Sequence, residues 1–216
     1  MRWIDRLERT FGKWAIPQFP LFITAANGFI YLLGMFNPGF INRLLLDPAA
    51  IQAGEWWRII TFLFVPPSLS PIFMAFWLYL LYHYSMALEN EWGEFRFCFF
   101  YLVGALATVL GALFITHETL SNVPLNTTLF LAFARLFPDF ELIPFFFLPF
   151  FTVKVKYMAW LIWLVLGWTF LRDGFVTRVA IGTSLFNYAL FFGPELWQEA
   201  VLKWQVFWNR RRFKGP

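Results

Sequence analysis

The sequence predicts an all-α, polytopic membrane protein: a bundle of six transmembrane helices. Three observations carry that expectation. The first is composition. Of 216 residues, 60% are hydrophobic and 14% are charged, with 31 Phe and 12 Trp. Soluble domains carry about 25% charged residues, and a chain of this length cannot bury so much apolar surface in one core, so the surplus must face hydrocarbon. The second is segmentation: apolar runs that approach the ~20 residues of a membrane helix alternate with polar breaks. The third is the uneven placement of the 17 Lys and Arg residues, which collect in alternate breaks as basic loops on one membrane face do.

The first expected span is Ala15–Phe36, where Pro17 and Pro20 suit an opening turn. The second is Pro71–Leu88 and the third Phe95–Ile115. The fourth, Leu125–Phe137, is too short to cross a full bilayer. The fifth is Tyr157–Leu171 and the sixth Phe175–Gly193. Phe140–Val153 is apolar, but Pro144 and Pro149 interrupt it, and it reads as an interfacial or re-entrant connection. The chain thus divides into an N-terminal segment (1–14), a membrane domain (15–193) and a tail (194–216). Both ends carry apolar residues near helical spacing among basic ones: Trp3, Ile4, Leu7, Phe11 and Trp14 in the first, Leu196, Val201, Trp204 and Trp208 in the second. Both are expected to be amphipathic helices lying on an anionic inner leaflet, the tail reading equally as an ordinary basic stop signal.

With the N-terminus inside, the inner side holds Arg2, Arg6, Arg9, Lys13, Arg96, Arg135, Lys154, Lys156, Lys203, Arg210, Arg211, Arg212 and Lys214, leaving Arg43, Arg58, Arg172 and Arg178 outside. Both termini are then cytoplasmic. Met1 is followed by a charged stretch without a small-residue cleavage site, so no cleavable signal peptide is expected. Cys98 is the single cysteine, which excludes an internal disulfide framework and a cysteine-ligated structural metal. No His, Asp and Glu cluster has ligand spacing, and neither metal nor other cofactor is expected. A formal charge of +4, scattered along the chain, gives no reason to expect nucleic acid.

The loop after the first span reads GEWWRIITFLF, with Gly54, Trp56, Trp57, Arg58 and Thr61. It resembles a loop motif of the rhomboid family, which opens towards the second span. LENEWGEFRFCFFYLVGALA places Glu89, Gly93, Phe97 and Tyr101 where that family has Glu, Gly, Phe and Tyr at intervals of four. ITAANGFIYLL, with Asn27, is similar to the family's first span, and LFPDFELIPFFFLPFFTVKVKYMAW to the bacterial connection between the fourth and fifth. The resemblance covers most of residues 20–160. It implies a six-span rhomboid fold, a bacterial inner-membrane location, and Trp56, Trp57 and Arg58 as anchors of a semi-submerged hairpin. On the residues alone the same cluster also reads as an interfacial aromatic belt with a snorkelling Arg, its indoles able to stack on the guanidinium.

The resemblance further implies where catalysis would sit, and the parts are missing. Rhomboid proteases use a Ser in Gly-x-Ser-Gly at the start of the fourth span and a His in the sixth. Here Asn126, Thr127 and Thr128 occupy the nucleophile region, and Phe186 or Asn187 falls where the base would be. The positions of the second-span oxyanion residues are Phe73 and Trp77. Bulky Leu129, Phe130, Tyr188 and Leu190 are expected to hold the two helices apart. His117 and Ser121, at i and i+4, form the remaining His–Ser spacing, and no oxyanion donors accompany them. Glu89, Glu91 and Glu94 are expected to network with Arg96, with Glu89 bonding backbone amides. The expectation is a catalytically inactive rhomboid-like protein, faintly Derlin-like in FNYALFF, that binds membrane lipid and a membrane-protein partner or client as an adaptor. The alternatives are a structural subunit of a larger complex and a protease with an atypical nucleophile.

Overall fold

The computed structural model describes residues 2–142 and 152–212. In chain order the helices are α1 (Arg2–Phe11), α2 (Phe19–Phe36), three short ones, α3 (Pro38–Asn42), α4 (Pro48–Gln52) and α5 (Arg58–Thr61), then α6 (Pro71–Trp92), α7 (Glu94–Gly111, continued by a π turn over Ala112–Thr116), α8 (Val123–Leu136), α9 (Val155–Arg172) and α10 (Phe175–Arg212). Two short antiparallel strands, β1 (Glu141–Leu142) and β2 (Val153–Lys154), join the chain on either side of residues 143–151. The expected re-entrant connection falls largely on those residues and lies outside the described ones.

Local chemistry sets the boundaries. Proline stands in the first turn of α2, α4, α6 and α8, where its missing N–H is one the helix could not use. Asp47 caps α4 by accepting hydrogen bonds from the Ala49 and Ala50 amides. Gly93 stops α6 at φ 87° and ψ 159°, a region of backbone space that is essentially glycine-only. The reversal into α7 therefore needs a residue without a Cβ.

Four helices are long and apolar enough to cross a membrane: α2, α6, α7 with its π turn, and α10. This is a membrane protein of all-α class, with four such helices among the described residues where six were expected. The expected fourth span is a 14-residue helix, α8, and the expected fifth, α9, carries charges near both ends, Lys156 and Arg172, and does not reach the apolarity of the four. The two differ sharply in environment. From Leu125 to Ala134 every α8 residue except Thr127 is buried, for α8 packs against α6, α7, α9 and α10. A helix shielded by other helices need not match the bilayer in length. On α9 only Val155 is buried, and Trp160, Leu164 and Trp168 stand exposed.

Both ends are tied to the bundle. Ile4 of α1 is part of the core, and Arg96 of α7 grips the helix, its Nη2 donating to Asp5 at 2.8 Å and its Nε to Glu8 at 2.9 Å. Arg96 is thereby engaged with α1 rather than with Glu89, Glu91 and Glu94. At the other terminus, the boundary drawn between 193 and 194 falls inside α10. That helix runs unbroken through Pro194 for 38 residues, about 57 Å at 1.5 Å per residue. Arg135 at the end of α8 pairs with Glu199, well past that boundary.

The bundle has two chemically distinct ends. α1, the start of α2, the α6–α7 turn, the end of α8 and the start of α9 share one, joined by contacts such as Phe19–Phe97, Arg96–Asp5 and Arg135–Glu199. The opposite end carries α3 to α5, the π turn and the α9–α10 turn, where Arg178 donates to the Phe170 carbonyl at 2.8 Å.

Candidate functional site

The loop motif is a fastener. Arg58 is only 7% exposed, and a buried guanidinium needs its donors satisfied. Its Nη1 donates to the carbonyls of Asn42 at 2.9 Å and Leu45 at 3.1 Å, and its Nε pairs with Glu55. Thr61 donates to the Leu44 carbonyl at 3.2 Å. The α3–α4 segment is thus tied to α5, and Gly54 turns the chain at φ 108° to allow it. Trp56 and Trp57 are 66% and 52% exposed, pointing outward as interfacial indoles do. Snorkelling does not describe so buried an Arg58.

The other motif residues cap and tie. Tyr101, fully buried, donates to the Leu63 carbonyl at 3.3 Å, and Asn122 donates to the same carbonyl at 2.8 Å. The Glu89 carboxylate faces the Gln18 and Phe19 backbone amides that open α2, the place where a helix presents unpaired N–H groups. Its Oε2 has no partner among the described residues.

The degenerate dyad region is assembled. Asn187 on α10 and Thr128 on α8 are both buried, and the Asn187 amide donates to Thr128 Oγ1 at 3.3 Å and to the Phe100 carbonyl of α7 at 3.2 Å. Thr128 in turn donates to the Leu125 carbonyl at 2.7 Å. The helices are therefore not held apart by Leu129, Phe130, Tyr188 and Leu190. What permits the approach is Gly104 on α7: a Cβ there would meet Leu125 at 2.5 Å and Asn187 at 2.6 Å. Phe186, the other candidate, is 53% exposed on the outside of α10. An amide does not take up a proton near neutral pH, and the Thr128 hydroxyl is already committed to a carbonyl. The pair ties α8 to α10 and contains no group that gains or loses a proton near neutral pH.

Two residues earlier on α8, Asn126 is 5% exposed, and among the described residues neither its Nδ2 nor its Oδ1 has a partner. Buried amides normally find partners, since an unmet one costs about 1–3 kcal/mol. Asn126 lines a cavity of about 210 Å³ enclosed by Trp77, Leu80 and Tyr84 of α6, Thr127 and Phe130 of α8, and Met158 and Ile162 of α9. Thr127 is the α8 residue at this level that is not fully buried, and its hydroxyl donates to Val123 at 2.8 Å. Of the two residues expected at oxyanion positions, Trp77 lines this cavity and Phe73 is exposed on α6. The sequence pointed to Asn126 and Trp77 but not to the walls supplied by Tyr84 and Met158. A partly polar α8 opposite two apolar helices is the one signal that could have indicated them.

The two histidines lie on different elements. His83 is exposed on α6 with its ring 4.2 Å from that of Tyr79. His117 ends the π turn at φ 54° and Ser121 lies in the loop before α8, so no helix aligns them at i and i+4. Among the described residues no group of His, Cys, Asp and Glu is placed to hold a metal ion. No family model matches the chain. No curated protein matches it either.

Proposed function

We propose that this chain is a catalytically inactive, rhomboid-like membrane protein that binds the transmembrane helix of a client and acts as an adaptor. In this reading α8 and α9 complete a bundle of six membrane-embedded helices around α2, α6, α7 and α10. The basic end faces the cytoplasm of a bacterial inner membrane, with both termini there, because Arg and Lys concentrate at that end. The order of the GEWWRIITFLF and Glu89–Gly93–Tyr101 motifs supports the family reading, as does the meeting of Thr128 with Asn187.

The observation that carries the function is Asn126. A buried amide with both polar atoms unmet, lining a cavity between two helices, is expensive unless something completes it. In a bilayer the available hydrogen-bonding partners are side chains of other helices. A client helix seated against α6 and α9 would place a hydroxyl or amide at Asn126. The absence of a titratable group from the Thr128–Asn187 pair supports binding without hydrolysis.

Capture from the membrane tests this. A photo-crosslinking amino acid replaces Thr127, which lines the cavity, and the chain is irradiated in native membranes. Discrete adducts with membrane proteins are expected, and fewer of them when Asn126 is also changed to Leu. Adducts that are indifferent to Asn126 would remove the support for client binding at this cavity.

A further inference from the structure

A second hollow, of about 650 Å³, lies between α8, α9 and α10 towards the basic end. It exists because small residues face one another there: Ala134 of α8, Ala159 of α9, and Ala189 and Gly193 of α10. Helices can close over such positions, yet α9 stands off, with only Val155 buried. An empty volume of this size forfeits dispersion contacts along its whole lining. The hollow is open rather than sealed, and the neighbouring α9 surface is apolar and exposed, Trp160 at 69%. In a bilayer, hydrocarbon fills it.

Its charged lining is of one sign. Arg135 and Lys156 line the hollow, and among the described residues no carboxylate does. The carboxylates nearby stand outside the lining: Arg135 pairs with Glu199, while Asp139 accepts from Lys156 at 2.8 Å and Lys154 at 3.4 Å. One carboxylate serves two ammonium groups, and the Lys156 hydrogen bond holds the Asp139 carboxyl below its usual range. A guanidinium has five donors and an ammonium three, so Arg135 and Lys156 each keep donors for a further acceptor. An apolar hollow with cations in its lining matches an anionic amphiphile. A helix, about 10 Å across, would need a groove running the depth of the bundle. This hollow is confined to one half, from Leu131 to Arg135 on α8 and from Lys156 to Trp163 on α9.

We infer that this hollow is a binding site for an anionic phospholipid, with an acyl chain along the small residues and the phosphate at Arg135 and Lys156. The site is distinct from the client cavity, since the two share no lining residue.

The test is native mass spectrometry of the full chain in detergent, titrated with dioleoylphosphatidylglycerol and, separately, dioleoylphosphatidylcholine. One tightly held phosphatidylglycerol is expected, preferred over phosphatidylcholine by about tenfold. Arg135→Gln with Lys156→Gln should reduce that preference to about twofold or less. If Arg135→Gln fails to fold for want of its pair with Glu199, Lys156→Gln alone, at the first turn of α9, still lowers the preference. Ala159→Phe should weaken retention of both lipids by filling the hollow. Equal retention of the two lipids by the unaltered chain, or a preference unchanged by the Gln variants, overturns the headgroup assignment. Undiminished retention in Ala159→Phe overturns the acyl-chain assignment.

Discussion

Arg58 and Trp57 are neighbours in sequence and opposites in energetics. Arg58 is buried and divides its donors among Glu55 and the carbonyls of Asn42 and Leu45. Removing it leaves the Asn42 and Leu45 carbonyls without their donor, while the partly exposed Glu55 can be hydrated, a loss of about 1–3 kcal/mol. Trp57 projects half of its surface outward, and its loss within a detergent micelle removes contacts that surfactant replaces. Arg58→Ala should therefore lower the midpoint of thermal unfolding in detergent by several degrees, while Trp57→Ala should shift it little. Equal shifts would mean that the indole, not the guanidinium, anchors the loop. In the sequence the three residues read as one cluster of anchors. Only the fold separates them, because burial at Arg58 depends on carbonyls contributed by a segment 13 and 16 residues earlier.

At the scale of elements, the junction of α7, α8 and α10 shows what hydropathy can and cannot locate. The positions of the main helices were legible because apolar runs bounded by Pro, Gly and charge are a local signal. The pair on α8 and α10 was legible as a region, since Thr128 and Asn187 fall within the two stretches, Asn126–Thr128 and Phe186–Asn187, that the family resemblance singles out. The closeness of α8 to α10 was not, because it is set by a third helix: Gly104 gives Leu125 and Asn187 the space that a Cβ would take. The reach of α10 was hidden by Pro194, which in sequence suggests a break, although the helix continues through it. The docking of α1 rests on Arg96, 88 and 91 residues from its partners. The junction invites a direct rebuild, Thr128→Ser with Asn187→His. Close approach now exists, but Phe73 has no hydrogen-bond donor and Trp77 only an indole N–H, and one missing oxyanion donor costs roughly 100- to 1,000-fold. The double variant should cleave no rhomboid-type substrate in liposomes. Measurable hydrolysis would show that the site needs only its dyad.

At the scale of the whole molecule, the chain divides its polar groups into those it satisfies and those it leaves open. Arg58, Arg96, Tyr101 and Asn187 each fasten one element to another. Asn126 has no side-chain partner among the described residues and lines a cavity between α6 and α9. An adaptor for membrane helices needs such a place, where a client gains more from the protein than from lipid. Interhelical hydrogen bonds of this kind contribute about 0.6–2 kcal/mol, enough to shift occupancy several-fold. The most direct measurement is Förster transfer in liposomes between the chain, labelled at Met158→Cys in a Cys98→Ser background, and a poly-leucine transmembrane peptide bearing one central Asn. The account predicts several-fold stronger transfer to the Asn peptide than to an all-Leu peptide, with the difference lost in Asn126→Leu. Equal transfer to the two peptides, or a preference that survives Asn126→Leu, would contradict it.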